Sequence, residues 1–138
     1  MINHIQNKFQ NAALNLLRVV SGFLIMPHGA QKLFGLLGGF GGEPGATAPL
    51  LSMMGLAGVL EFFGGLAILL GLFTRPAAFI LSGQMAFAYF MSHAPMGLWP
   101  IHNHGEHATL YAFIFLFLAA SGGGKFNIGS LIQRVKGR

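Results

Sequence analysis

Residues 49–73, PLLSMMGLAGVLEFFGGLAILLGLF, decide the solvent in which this chain folds. A helix needs about 20 mainly apolar residues to cross the hydrocarbon core of a bilayer, and this run supplies them with Glu61 as its only charge. Gly58 and Gly65 stand three residues before and four after Glu61, so they share its helix face, where small residues let a second backbone approach closely.

Composition extends the same reading to the rest of the chain. Of 138 residues, 54% are hydrophobic and only 8% are charged. The mean hydropathy is +0.64. So little polar surface cannot coat a soluble domain of this length. Further apolar runs cover residues 12–37, interrupted by Arg18, Pro27, His28 and Lys32, then 76–92 and 106–121. The segments joining them are short, and GGFGGEPGAT and HAPMGLWPIHNHG are rich in the glycine and proline that end helices. The fold class expected is all-α: an integral-membrane, four-helix antiparallel bundle forming one domain over residues 1–138. Pro27 is expected to kink the first helix beside His28.

Lysine and arginine near span ends are retained on the cytoplasmic side. With both termini placed there, Lys8, Arg18, Arg75, Lys125, Arg134, Lys136 and Arg138 fall inside and only Lys32 outside. The net charge of +5 is thus explained by topology and anionic lipid, not by a nucleic-acid surface. The opening MINHIQNKFQ lacks the pattern of a secretory signal and is expected to stay attached, with Ile2, Ile5 and Phe9 spaced for a short interfacial helix.

Ionisable groups within spans are costly in lipid and mark function by default. Glu61 in the second span and His28 in the first are expected to face a common cavity towards the outer side. Arg18, His28 and Lys32 share one broad face of the first helix, and each is a candidate partner for Glu61. At the outer end His93 closes the third span, while Glu106, His107 and Tyr111 open the fourth. Imidazole and carboxylate suit zinc, iron or copper, so His93, His104, Glu106 and His107, with His28 in reach, form an alternative metal site. HNHGEH is not a helical HExxH pattern, and loop histidines at a membrane interface are usually just solvated. Trp99 suits an interfacial anchor or a cover for an aromatic ligand. Cysteine and aspartate are both absent, which removes thiol redox chemistry and a Ser-His-Asp triad. No phosphate-binding glycine loop is present.

RVVSGFLIMPHGAQKLFG, EFFGGLAILLGLFTRPAA and MSHAPMGLWPIHNHGEHATLYAFIFLFLAASGGG together resemble the DoxX family of small four-helix bacterial membrane proteins. The resemblance runs from about residue 14 to residue 124. It is carried by Gly29 and Lys32, by Glu61, Gly64, Gly65, Gly71, Leu72, Thr74 and Arg75, and by Gly105, Glu106, Leu110 and Tyr111. It implies a multi-pass protein of the bacterial cytoplasmic membrane, associated in some members with quinone-linked oxidoreduction or oxidative stress. The chain departs from the usual NGGE at Asn103, His104, Gly105, Glu106, His107, and its ending, GGGKFNIGSL, lacks the Ser-Leu-Asp often found there.

Joined to the polar residues, the resemblance suggests a quinone-interacting subunit of an oxidoreductase system. Glu61, His28 and Tyr111 would supply hydrogen bonds or proton relay, and Lys32, Trp99 and Glu106 would add contacts to the cofactor. A soluble or membrane redox partner would supply the electrons, and assembly as a homo-oligomer is open. The alternatives are a metal-handling protein built on the outer histidines and a noncatalytic scaffold for a redox enzyme.

Overall fold

The computed structural model describes residues 2–137, with side chains from residue 4. Arg138 and the Ile2 side chain, used in the topology and interfacial-helix expectations, lie outside the described residues. Every regular element described is helical.

Helix α1 covers Ile2–Phe34 and runs unbroken through Pro27. Its 33 residues make a rod of about 50 Å, longer than the ~30 Å of bilayer hydrocarbon. The N-terminal segment is therefore a continuation of α1 and not a separate interfacial helix; Ile5 and Phe9 are exposed on it. Gly35, at φ 64°, takes the left-handed conformation that ends the helix, and its N–H reaches the Gln31 carbonyl.

Helix α2 covers Met53–Leu70. Ser52 caps it by accepting the Gly55 N–H at 3.1 Å. Gly71, at φ 71°, stops it, which trims the expected 49–73 run at both ends. Within α2, residues Leu60–Gly64 form a π-helical turn. Helix α3, Thr74–Ala88, passes directly into a second π turn, Tyr89–His93. A single helical turn, Pro100–Asn103, leads to α4, Glu106–Ser121. Helix α5, Ile128–Lys136, follows, with Asn127 Oδ1 accepting the Ser130 N–H at 2.7 Å.

Neighbouring helices run antiparallel. Arg18, Ile25 and Lys32, in rising order on α1, meet Ile68, Gly65 and Gly58, in falling order on α2. Gly22 and Gly29 of α1 lie directly against the α2 backbone, as the glycine spacing around Glu61 requires. On α3, Thr74, Ser82 and Tyr89 meet Gly123, Ala112 and Gly105 around α4. The α2–α3 contacts join the two pairs, and Ile25, Ile68, Leu81, Met85, Phe115 and Leu118 form the shared core. Outside it, large apolar residues such as Phe79, Phe87, Phe113 and Phe117 face outward, as lipid-facing positions do. His4–Phe34 and Met53–Leu70 are each long and apolar enough to cross a membrane.

Candidate functional site

Glu61 sits on the π turn of α2 and is only 4% exposed. A π turn adds a residue to the helical repeat and re-aims the side chains on it, and such turns concentrate at functional positions. The Lys32 ammonium of α1 donates to Glu61 Oε2 at 2.6 Å and reaches its own helix at the His28 carbonyl, 3.3 Å away. From α3, Gln84 Nε2 donates to Glu61 Oε1 at 2.8 Å. Three helices thus converge on one carboxylate, with a cation on one oxygen and an amide on the other. Gln84 Oε1 is buried and has no hydrogen-bond partner among the described residues.

The remaining sequence candidates lie elsewhere. The His28 ring is exposed, and only its backbone carbonyl joins the centre, so His28 and Glu61 do not face a common cavity. Tyr111 is half-buried and stacks on Phe115 with ring centroids 5.5 Å apart, against the core. Neither is a hydrogen-bond partner of Glu61; those are Lys32 and Gln84. Trp99 and Glu106 are exposed at the far end of α3 and α4.

The histidines between α3 and α4 are kept apart by a loop with its own hydrogen-bonding plan. His93 Nδ1 lies 2.9 Å from the Asn103 carbonyl, and the His93 ring stacks on Tyr89. Asn103, fully buried, donates to the Gly97 carbonyl at 2.7 Å and accepts the Gly105 N–H at 2.8 Å. His104 adopts φ 57° at the turn, and His102, His104, Glu106 and His107 all point to the exterior. No group of three or more His, Asp or Glu is assembled for a metal among the described residues. The expectation of a metal site at His93, His104, Glu106 and His107 is therefore corrected: His93 is engaged by the Asn103 carbonyl, while His104, Glu106 and His107 are exposed and do not gather around a common point.

Sequence reasoning passed over Gln84 and Asn103. A lone glutamine in the apolar run FILSGQMAFAYF was the available signal for the first, since an amide in a span needs a polar neighbour. A cleft of about 340 Å³ between α3 and α4, walled by Tyr89, Phe90, Phe113 and Leu116, is apolar. The Ser82 and Thr109 hydroxyls on its wall already donate to the Ala112 and Gly105 carbonyls. Polar side chains of the helical bundle therefore gather at Glu61 and not in this cleft.

A second buried cation is separate from this centre. Arg18, 3% exposed, donates to the carbonyls of Ile68 at 2.8 Å and Leu69 at 2.5 Å, in the last turn of α2, and to that of Phe126 at 2.9 Å. It thus adds a donor to the carbonyls at the end of α2, where Ile68 already accepts the Gly71 N–H at 3.0 Å, and ties that end to the segment before α5.

Residues 13–94 match the family model for DoxX. An uncharacterized protein of Haemophilus influenzae is 42% identical over 120 residues, covering 85% of this chain and 88% of that protein. The inner membrane protein YqjF of Escherichia coli is 28% identical over 140 residues, covering 92% and 97%. No solved structure matches. The extent of the family match and the identity to the Haemophilus protein agree with the helices described above: the chain belongs to the DoxX family of bacterial membrane proteins.

Proposed function

We infer that this protein is a four-helix transmembrane subunit of a quinone-linked redox system in the bacterial inner membrane, with both termini on the cytoplasmic side. The observation that carries the reading is Glu61, buried on a π turn and held by Lys32 and Gln84 from two other helices. Replacing a buried ion pair by apolar residues of similar volume is commonly neutral or stabilising, so stability alone gives little reason for a pair at this depth. Intramembrane ionisable groups are functional candidates by default.

The donor set suits a quinone headgroup. A quinone oxygen needs donors and a quinol hydroxyl needs acceptors; Lys32 supplies N–H groups, while Glu61 and the orphaned Gln84 Oε1 supply acceptors. When bound, the quinone would supply two-electron redox chemistry, the electrons coming from a partner protein. Lys32 would orient the headgroup and hold compensating positive charge beside it. Glu61 would take or return a proton at Oε1 or Oε2, and Gln84 would fix the carboxylate plane. The packed α1–α2 backbones would keep bulk water from the carboxylate. His28 has no part in this reading, because its ring points away.

Equilibrium dialysis of a short-chain quinone against the detergent-purified chain tests the assignment. Binding is expected to saturate and to weaken about tenfold or more in Gln84→Leu and Glu61→Gln, the loss of one hydrogen bond to a charged group, and to be unchanged in His28→Ala. Absence of saturable binding, or equal binding by all the variants, would sink the assignment.

A further inference from the structure

We propose that the end of the molecule opposite the α1–α2 loop carries a built site for the phosphate headgroup of an anionic phospholipid. The site is a cavity of about 350 Å³ between the end of α2 and helix α5. Arg18, Lys125 and Arg134 line it, together with apolar walls from Leu69, Leu70 and Leu131. It lies well away from the Glu61 centre, since Arg18 and Lys32 are about 21 Å apart along α1, and it does not depend on the quinone reading.

Charge is the first argument. The chain has three acidic residues, Glu43, Glu61 and Glu106. Glu43 lies in the α1–α2 loop, Glu61 is mid-helix and paired to Lys32, and Glu106 opens α4 at the same end as that loop, so none of the three reaches the cavity. Arg18 is hydrogen-bonded only to neutral carbonyls, and its Nε is buried with no partner among the described residues. Its charge is therefore solvated but not neutralised. A phosphate at the mouth, contacted by the exposed Lys125 and Arg134, would complete the balance, with Arg18 acting on it from the floor through the field of its charge.

Shape is the second argument. A free anion needs only the cations, whereas this cavity joins them to leucines and to Ile128 and Leu131, which are exposed on α5. A cationic rim with an apolar wall fits an amphiphile whose headgroup is anionic and whose chains follow the helices. Helix α5 is held in place to form it: Phe126 N donates to Asn15 Oδ1 at 3.2 Å, Lys125 N to Asn11 Oδ1 at 3.1 Å, and Arg18 binds the Phe126 carbonyl.

Native mass spectrometry of the full chain, released from detergent with phosphatidylglycerol or phosphatidylcholine of matched chain length, tests the proposal. Phosphatidylglycerol is expected to bind at least tenfold more tightly, with one tight site. Arg134→Gln and Lys125→Gln should each weaken it about fivefold, the typical effect of one interfacial cation. Lys8→Gln, which removes a cation outside the cavity, should change nothing. Equal retention of the two lipids would overturn the site, as would a Lys8→Gln effect equal to that of Arg134→Gln, which would mean diffuse surface charge. Displacement of phosphatidylglycerol by an equal concentration of inorganic phosphate would overturn the lipid assignment in favour of a soluble anion.

Discussion

The Lys32 ammonium of α1 lies 2.6 Å from the Glu61 carboxylate of α2, so a helix pair in close backbone contact is also joined by the one buried carboxylate among the described residues. Removing either partner strands a charge in an apolar setting, which costs about 3 kcal/mol, whereas removing both strands nothing. Lys32→Met and Glu61→Leu should each lower stability by about that amount, and the double substitution by less than either single one. A double-mutant cycle of unfolding in mixed micelles measures the coupling. Losses that simply add would show that the pair is not an energetic unit.

Close approach of α1 and α2 predicts a sharp contrast between two glycines. A Cβ on Gly29 would be driven into the Phe62 backbone nitrogen and the Gly58 carbonyl, while one on Gly83 of α3 meets nothing within 4 Å. Overpacking costs about 1–3 kcal/mol, whereas Gly→Ala in an open helix position gains about 0.5–1 kcal/mol from the unfolded chain. Gly29→Ala should therefore melt earlier than the parent, and Gly83→Ala at the same temperature or later. Indistinguishable melting of the two variants would contradict the tight α1–α2 contact.

Why Glu61 was legible in the sequence and Gln84 was not follows from the same contacts. A lone charge in an apolar run announces itself, and its need for a partner is physical. The partner was narrowed to Arg18, His28 or Lys32 because steps of about 100° put all three on one broad face. Packing decided among them. Arg18 is taken by the end of α2, His28 turns outward, and Lys32 alone reaches the carboxylate. Helix α4 was legible to the residue, bounded by glycines before Glu106 and after Ser121. The π turns were not, since nothing in local periodicity marks the extra residue within α2 or at the end of α3. The histidines between α3 and α4 misled for a related reason: their density suggested a ligand set, but the buried Asn103 organises that loop.

Arg18 links three segments, so its replacement should act on the tail as well as on stability. Arg18→Met leaves the Ile68, Leu69 and Phe126 carbonyls without the guanidinium and unfastens the segment before α5. Hydrogen bonds from a charged donor contribute about 1.5–3 kcal/mol. Trypsin should cut after Lys125 several-fold faster in the variant, while the core helices keep their protection. Cleavage at the parent rate would show that α5 is anchored without Arg18.

Asn103 makes the sharpest prediction for the loop between α3 and α4. It is fully buried; its Nδ2 donates to the Gly97 carbonyl and its Oδ1 accepts the Gly105 N–H, so it fastens the segment after the second π turn to the start of α4. In Asn103→Leu a side chain of similar size replaces the amide, and the Gly97 carbonyl loses its donor at a cost of about 1–3 kcal/mol, while the Gly105 N–H keeps only its longer bond to the Pro100 carbonyl at 3.2 Å. Trp99, exposed between them, reports on the loop. The expected result is lower thermal stability together with altered acrylamide quenching of Trp99. Unchanged stability and quenching would mean that the loop is held by the Tyr89 hydroxyl, which donates to the Leu98 carbonyl at 3.0 Å, and by the His93 ring at the Asn103 carbonyl, neither of which the substitution removes.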